Sequence, residues 1–195
     1  MLRLQGIEAL EVPMGPEGLD LDHLERSLES TGAKLLYTMP NFHNPTGIIT
    51  DQAHRERLLE ICERLRVPIV EDGFEEEMKY FGRSVLPIKS IDVDGLVIYV
   101  GTFSKVVFPG LRVGWLAAAR PAIERLTSLQ HVSCLGTNTL GQAAADVFCR
   151  RGEFEAHLRR IHRVYRRRMQ AMLDGLARHL PSTVTWTRPA GGYTL

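Results

Sequence analysis

Cysteine is scarce in this 195-residue chain: there are three, at Cys62, Cys134 and Cys149. The number is odd, and no C-x-x-C or other metal-ligand spacing occurs. A disulfide framework or a zinc site is therefore not indicated, and the pattern fits a reducing compartment such as the cytoplasm. There is no long hydrophobic run of membrane-spanning length, and the opening MLRLQG has no apolar centre of the kind a secretion signal needs. A surplus of one charge is also missing. Lys+Arg number 24 against Asp+Glu 23, a formal net charge of +1, so no global field steers the chain toward nucleic acid or membrane. Internal repeats and low-complexity segments are absent as well. What remains is ordinary globular composition, 44% hydrophobic and 24% charged, long enough to bury a sizeable core. A partner for such a chain has to be sought in a local site.

Read in order, residues 7–13 alternate enough for a short strand and residues 15–18 turn the chain. Leu21, Leu24 and Leu28 recur at helical spacing behind Asp20, a candidate N-cap. Residues 34–39 (KLLYTM) read as a buried strand running into PNFHNPTG, whose prolines, asparagines and glycine forbid regular structure. Thr50 and Asp51 open a helix with Leu58, Ile61, Cys62 and Leu65 on its apolar face, and residues 68–71 (PIVE) form the next strand. Residues 97–100 (VIYV) are another strand, followed by a loop and a further apolar strand from Val113. The loop is too short to hold a crossover helix, so these two strands are expected to be antiparallel neighbours. Helices follow over 121–130 and 139–150, then a long one over 153–180 with Phe154, Leu158, Ile161, Tyr165, Met169, Met172, Leu173 and Leu176 on one stripe. Residues 182–186 are read as a strand.

Strand, helix, strand at intervals of about thirty residues predicts right-handed crossovers and a mostly parallel α/β sheet. In such sheets ligands sit beyond the carboxyl ends of the strands. Asn44, Asp72 and Lys105 each follow a strand and so fall on one edge. A lysine just past a buried strand can lose hydration and present a free amine as a nucleophile. Thr102, Ser104 and Arg112 beside it form a candidate anion cradle. Amine plus phosphate cradle points to pyridoxal 5'-phosphate, whose aldehyde condenses with a lysine while hydroxyls, Arg and backbone N–H groups hold its phosphate. Asp72 would pair with the pyridine nitrogen, and Asn44 would donate to the phenolate oxygen. Taken singly, a loop lysine is a solvated charge, an aspartate after a strand is a turn or cap residue, and N-P-T-G is a turn. Joint placement at successive strand ends lifts the set. The acidic run Glu75, Glu76, Glu77 is read as a solvated face.

NFHNPTG, then VPIVEDGF, then GTFSKVVFPGLRVGW, in that order and spacing, resembles the large domain of fold-type I, class I/II pyridoxal phosphate aminotransferases. The nearest branch holds 2-aminoadipate aminotransferases and the aminotransferase-like domain of MocR-type regulators. The resemblance covers nearly the whole chain. It implies an incomplete three-layer αβα large domain over residues 1–180, truncated at its start, with residues 181–195 beginning a small C-terminal domain. It implies Lys105 as the Schiff-base lysine and Asp72 as its catalytic partner on the pyridine nitrogen. It further implies Asn44 and Phe74 at the phenolate oxygen, and Thr102, Ser104 and Arg112 on the phosphate, with no metal. Asn138 resembles a position near a dimer interface.

Two departures bear on chemistry. Family members carry a tyrosine where this chain has Phe74, which removes one donor to the phenolate. The family's glycine-rich phosphate loop, the aromatic that stacks on the ring, and the arginine that grips the substrate carboxylate have no counterpart among these residues. Weak or absent turnover by the chain alone is therefore expected. The resemblance implies amino acid and 2-oxo acid substrates, a homodimer in the full-length protein, and no membrane partner. A sensor domain of a GntR/MocR-type regulator is the alternative, with nucleic acid a partner only if an upstream DNA-binding module exists. Another reaction on the same scaffold, such as decarboxylation, stays open. Residues 150–168 hold eight arginines against two glutamates. They read as a solvated helix face whose stems cover apolar surface, in preference to a phosphate-tracking stripe.

Overall fold

The computed structural model describes residues 2–82 and 85–194. A two-residue antiparallel ribbon, β1 (Met14–Gly15) on β2 (Gly18–Leu19), leads into α1 (Leu21–Thr31). Asp20 caps that helix by accepting the His23 N–H at 2.9 Å, and Gly32 at φ 62° ends it. Asp51 caps α2 (Gln52–Leu65) in the same way, accepting the His54 N–H at 2.8 Å.

The main sheet contains β3 (Leu36–Thr38), β4 (Ile69–Asp72), β5 (Val97–Thr102) and β6 (Gly114–Ala117), in that spatial order. β3, β4 and β5 run parallel. β6 returns antiparallel to β5, with Tyr99 opposite Ala117 and Thr102 opposite Gly114, as the short connection requires. Alternation along the strands gives the sheet two unlike faces. Leu36, Ile69 and Val97 point into a core with Leu24 and Leu28 of α1 and Leu58, Ile61 and Cys62 of α2. Each such side chain contributes about 1.5–3 kcal/mol on burial. Glu71 shares this buried face and makes no ion pair among the described residues. Its two oxygens accept the Ile88 and Lys89 N–H groups, each at 2.8 Å, where a 3-10 turn (Ile88–Ser90) begins. The opposite face carries Tyr37, Val70, Asp72, Val100, Thr102 and Leu116 by register. Tyr37 and Leu116 on it are exposed.

α3 (Arg120–Cys134), α4 (Thr139–Arg150) and α5 (Glu153–His179) follow. The stripe of α5 packs Phe154, Leu158, Ile161, Tyr165, Met169 and Leu173 against Met78, Tyr80 and Val106. Met172, expected on that stripe, is exposed instead. Three polar groups of α5 fasten loop carbonyls that would otherwise lack partners. His157 Nε2 meets Val106 O at 2.7 Å, His162 Nε2 meets Glu77 O at 2.5 Å, and Arg166 Nε donates to Tyr80 O at 3.0 Å. The arginines of residues 150–168 are all exposed, and Arg166 and Arg168 lie over the rings of Phe81 and Tyr165. No helix among the described residues is long and apolar enough to cross a membrane.

Two expected strands do not form. Residues 7–13 have no ladder partner among the described residues, and Ile7 and Leu10 are exposed. Residues 182–186 begin with a turn, Val184 N–H on Pro181 O at 3.0 Å, and then run without a neighbouring strand among the described residues. An apolar alternation needs a second strand to satisfy its backbone, and neither segment finds one. Instead the chain doubles back at residues 190–193. The Tyr80 and Phe81 N–H groups both meet Ala190 O at 2.9 Å, and Gly192 N–H meets Met78 O at 2.9 Å. A Cβ on Gly191 would lie 2.2 Å from Met78 O, so only glycine fits there.

Candidate functional site

The carboxyl ends of β3, β4 and β5 lie side by side, and the loops leaving them carry the candidate residues. Asp72 ends β4 opposite Val100 of β5. Its Oδ2 accepts the Tyr37 phenol O–H at 2.6 Å from β3, and its Oδ1 accepts the Phe74 N–H at 3.2 Å. The following residue is glycine for a steric reason: a Cβ on Gly73 would sit 2.0 Å from the Tyr99 hydroxyl. Gly101 is under the same constraint, its Cβ falling 2.3 Å from the Trp115 indole, which packs tilted at 30° on Tyr99 with 5.1 Å between centroids.

The loop after β3 is folded on itself by Gly47 N–H to His43 O, His43 N–H to Ile48 O and Thr50 N–H to Pro40 O. Asn44 stands exposed at its tip, joined to Pro45 by a cis peptide. Arg55, with no exposure at all, anchors the base of the loop. Its guanidinium donates to Thr50 Oγ1, Thr50 O, Pro40 O, Asn41 Oδ1 and Leu86 O, at 2.6 to 3.1 Å. Asn41 in turn donates to Glu76, so the loop after β3 is tied to the segment after β4. Burial pushes the Glu76 carboxyl up to about 7, against the pull of the Asn41 amide and the Arg55 charge. Glu75 is only 3% exposed, and its Oε2 accepts the Tyr193 N–H at 3.0 Å. Burial raises its carboxyl too, with that N–H and the Lys105 charge opposing. The acidic run is therefore not a solvated face: Glu77 alone of the three is exposed, because the loop curls inward under α5.

The loop after β5 begins with Thr102, whose hydroxyl accepts the Ser104 N–H at 3.1 Å. Lys105 is exposed, but its backbone is held on both sides. The Tyr193 O–H donates to Lys105 O at 2.7 Å, and His157 holds the next carbonyl, Val106 O. Arg112 ends a 3-10 turn (Pro109–Leu111) in the left-handed region at φ 51°, which costs a non-glycine residue about 1 kcal/mol. Asn138 braces the turn by donating to Leu111 O at 3.1 Å while capping α4 through the Gly141 N–H.

Thr102, Ser104 and Arg112 converge on one hollow of about 670 Å³, completed by Gln130, Gln142 and apolar side chains of β6 and α3. No acidic side chain lines it. Three hydroxyls (Thr102, Ser104 and Thr127), two amides and a guanidinium facing a hollow with no carboxylate among its described lining residues have the chemistry of an anion site. Asp72 stands at the neighbouring strand tip. Phe74 lines, with Gly73 and Tyr99, a smaller hollow of about 110 Å³ that shares Gly101, Thr102 and Trp115 with the first. Lys105 and Asn44 line neither, and no hydrogen bond or ion pair among the described residues joins Lys105 Nζ to Asp72, Asn44 or Arg112.

The supporting residues Tyr37, Glu75, Glu76, His157 and Tyr193 were not legible as such from local pattern. Arg55 did leave a trace: it stands at positions i−3, i−4 and i−7 to Leu58, Leu59 and Cys62, a charge on the apolar stripe of α2.

A mostly parallel sheet with candidate anion donors beyond the carboxyl ends of its strands is the arrangement in which α/β proteins bind their ligands. All of residues 1–195 match the model of the family "Aminotransferase class I and II", and the chain belongs to that family. It is 39% identical over 190 residues to aromatic-amino-acid aminotransferase 1 of Thermococcus litoralis, covering 95% of this chain and 46% of that protein. It is 35% identical over 192 residues to the HTH-type transcriptional regulator YisV of Bacillus subtilis, covering 98% and 39%. The crystal structure of LysN, the α-aminoadipate aminotransferase of Thermus thermophilus complexed with N-(5'-phosphopyridoxyl)-L-leucine, superposes with a TM-score of 0.90. Identity there is 38%, over 97% of this chain and 49% of that one. The chain spans about half the length of the relatives it matches.

Proposed function

We propose that this chain forms the cofactor-holding part of a pyridoxal phosphate-dependent aminotransferase, which moves an amino group between an amino acid and a 2-oxo acid. The observation that carries the reading is the acid-free hollow lined by Thr102, Ser104 and Arg112, with Asp72 fixed at the adjoining strand tip. When bound, pyridoxal phosphate supplies an aldehyde that captures amines and a ring that accepts electron density from the carbon losing its proton. Within this chain, Thr102 and Ser104 offer hydroxyls and Arg112 a planar fork to the phosphate. Asp72 would receive the proton-bearing ring nitrogen, and Asn44 would donate to the phenolate oxygen. Lys105 would supply the amine that holds the cofactor and, at its Nζ, the base that takes up and returns a proton. Phe74 would bring no hydroxyl to the phenolate oxygen.

Residues 1–180 constitute the large domain, and residues 181–195, after the end of α5 at His179, lead into a second. Exposed Leu129 and Val132 on α3, Leu135 just after it, and Leu140 and Val147 on α4 suit a homodimer contact in the full-length protein. A second reading, the sensing domain of a transcriptional regulator, is favoured by the likeness to YisV over nearly the whole chain. Both readings use Lys105 alike and differ in turnover. Titrating the chain with pyridoxal phosphate should produce a visible band that Lys105→Ala abolishes. Failure of that band in the unaltered chain would sink both readings, and the band without amino transfer in the full-length protein would favour the second.

A further inference from the structure

We propose that Tyr37 is a positioning residue for Asp72, holding its carboxylate from the neighbouring strand through the phenol O–H on Oδ2 at 2.6 Å. The inference rests on the reading of Asp72 as the partner of the ring nitrogen. Tyr37 pairs with Val70 across the β3–β4 ladder, so Asp72 is its diagonal neighbour two residues on, on the same face. With Phe74 N–H on Oδ1 at 3.2 Å, each carboxylate oxygen has one donor, and the torsion of the group is fixed. The O–H···O distance is that of a charge-assisted bond. Packing does not account for the residue. Tyr37 is 56% exposed and belongs to neither buried cluster, so the ring could be phenylalanine without loss to the core. What phenylalanine would lack is the donor.

A carboxylate held at both oxygens presents one fixed geometry to a ring nitrogen, so Tyr37 would act on the cofactor through Asp72 without touching it. Burial and the Asp72 hydrogen bond and charge together hold the phenol above its ordinary range, so it remains a donor throughout the neutral pH span.

The test uses the 195-residue chain as Tyr37→Phe, Asp72→Asn and the double variant, with two readouts. The first needs no cofactor: in an alkaline titration of tyrosine absorbance, Asp72→Asn should move one tyrosine, identified by its loss in Tyr37→Phe, to lower pH. An unmoved tyrosine would overturn the tie itself. The second is pyridoxal phosphate affinity with visible circular dichroism. Tyr37→Phe should weaken binding about tenfold to a hundredfold and reduce the induced band, with the far-ultraviolet spectrum unchanged. The double variant should bind no more weakly than Asp72→Asn alone, since the two residues act as one unit. Losses that add, or binding indifferent to Tyr37, would overturn this inference alone. No uptake by the unaltered chain would overturn the reading of the site and the role of Tyr37 with it.

Discussion

Replacing Arg55 by methionine should cost far more than its distance from the candidate hollow suggests. Methionine fills much of the stem volume, so packing loss is small and the guanidinium is isolated as the variable. Five acceptors lose their donor: Thr50 Oγ1, Thr50 O, Pro40 O, Asn41 Oδ1 and Leu86 O. Water cannot readily replace it, because Arg55 has no exposed surface and Thr50 and Asn41 are buried beside it. Glu76 also loses a positive neighbour that now pulls its carboxyl down. Breaking a buried charged network by removing one member costs about 3–5 kcal/mol, a large share of a domain stability on the order of 5–15 kcal/mol. Urea denaturation followed by circular dichroism, extrapolated to water, measures the loss. Arg55→Lys keeps the charge but not the fork and should fall between the two. Hydrogen exchange should localise the effect, with the Thr50 amide, bonded to Pro40 O, losing protection first. A loss for Arg55→Met below about 1 kcal/mol would refute the idea that this residue holds the loops together.

The Glu76 carboxyl, raised from 4.5 to about 7, makes folding take up a proton. Its stability contribution is complete below pH 4.5 and lost as pH rises through 7. Glu76→Gln should flatten that decline by at most about 1.4 kcal/mol per pH unit, less whatever solvent screening removes. Glu71 and Glu75 shift the same way, so the variant-minus-wild-type difference is the quantity to plot. Gly73→Ala should destabilise by about 1–3 kcal/mol, because its Cβ would overlap the Tyr99 hydroxyl, and Tyr99→Phe should recover part of that loss. Among the thiols, the buried Cys62 is pushed up to about 12 and should resist a disulfide reagent until the chain unfolds, whereas exposed Cys134 reacts at once. Prompt modification of Cys62 in the folded chain would contradict the packing of α2 on the sheet.

The parallel order of β3, β4 and β5 and the antiparallel return of β6 could be read from strand spacing and the short loop at Lys105, because those features depend on chain length and local pattern. Helix starts at Asp20 and Asp51 were equally local. The strands expected over 7–13 and 182–186 failed for a non-local reason: an alternating segment becomes a strand only where another strand lies alongside. The same distinction runs through the site. Thr102, Ser104 and Arg112 lie within eleven consecutive residues and share one loop, so their convergence was visible in the sequence. Tyr37 with Asp72, Asn41 with Glu76, and His157 with Val106 are separated by 35, 35 and 51 positions, and tertiary packing alone brings them together. Glu75 shows how context reverses a residue's meaning. In the sequence it belongs to an acidic run, yet it is buried under Tyr193 because residues 190–193 return across Met78.

The central claim, that one lysine amine captures the cofactor at this sheet edge, is tested most directly by borohydride reduction of the chain mixed with pyridoxal phosphate, followed by mass mapping of the modified peptide. A single phosphopyridoxyl group on Lys105, at near-equimolar cofactor and absent from Lys105→Ala, is the predicted result. Label spread over Lys34, Lys79 and Lys89, or label that persists in Lys105→Ala, would contradict it.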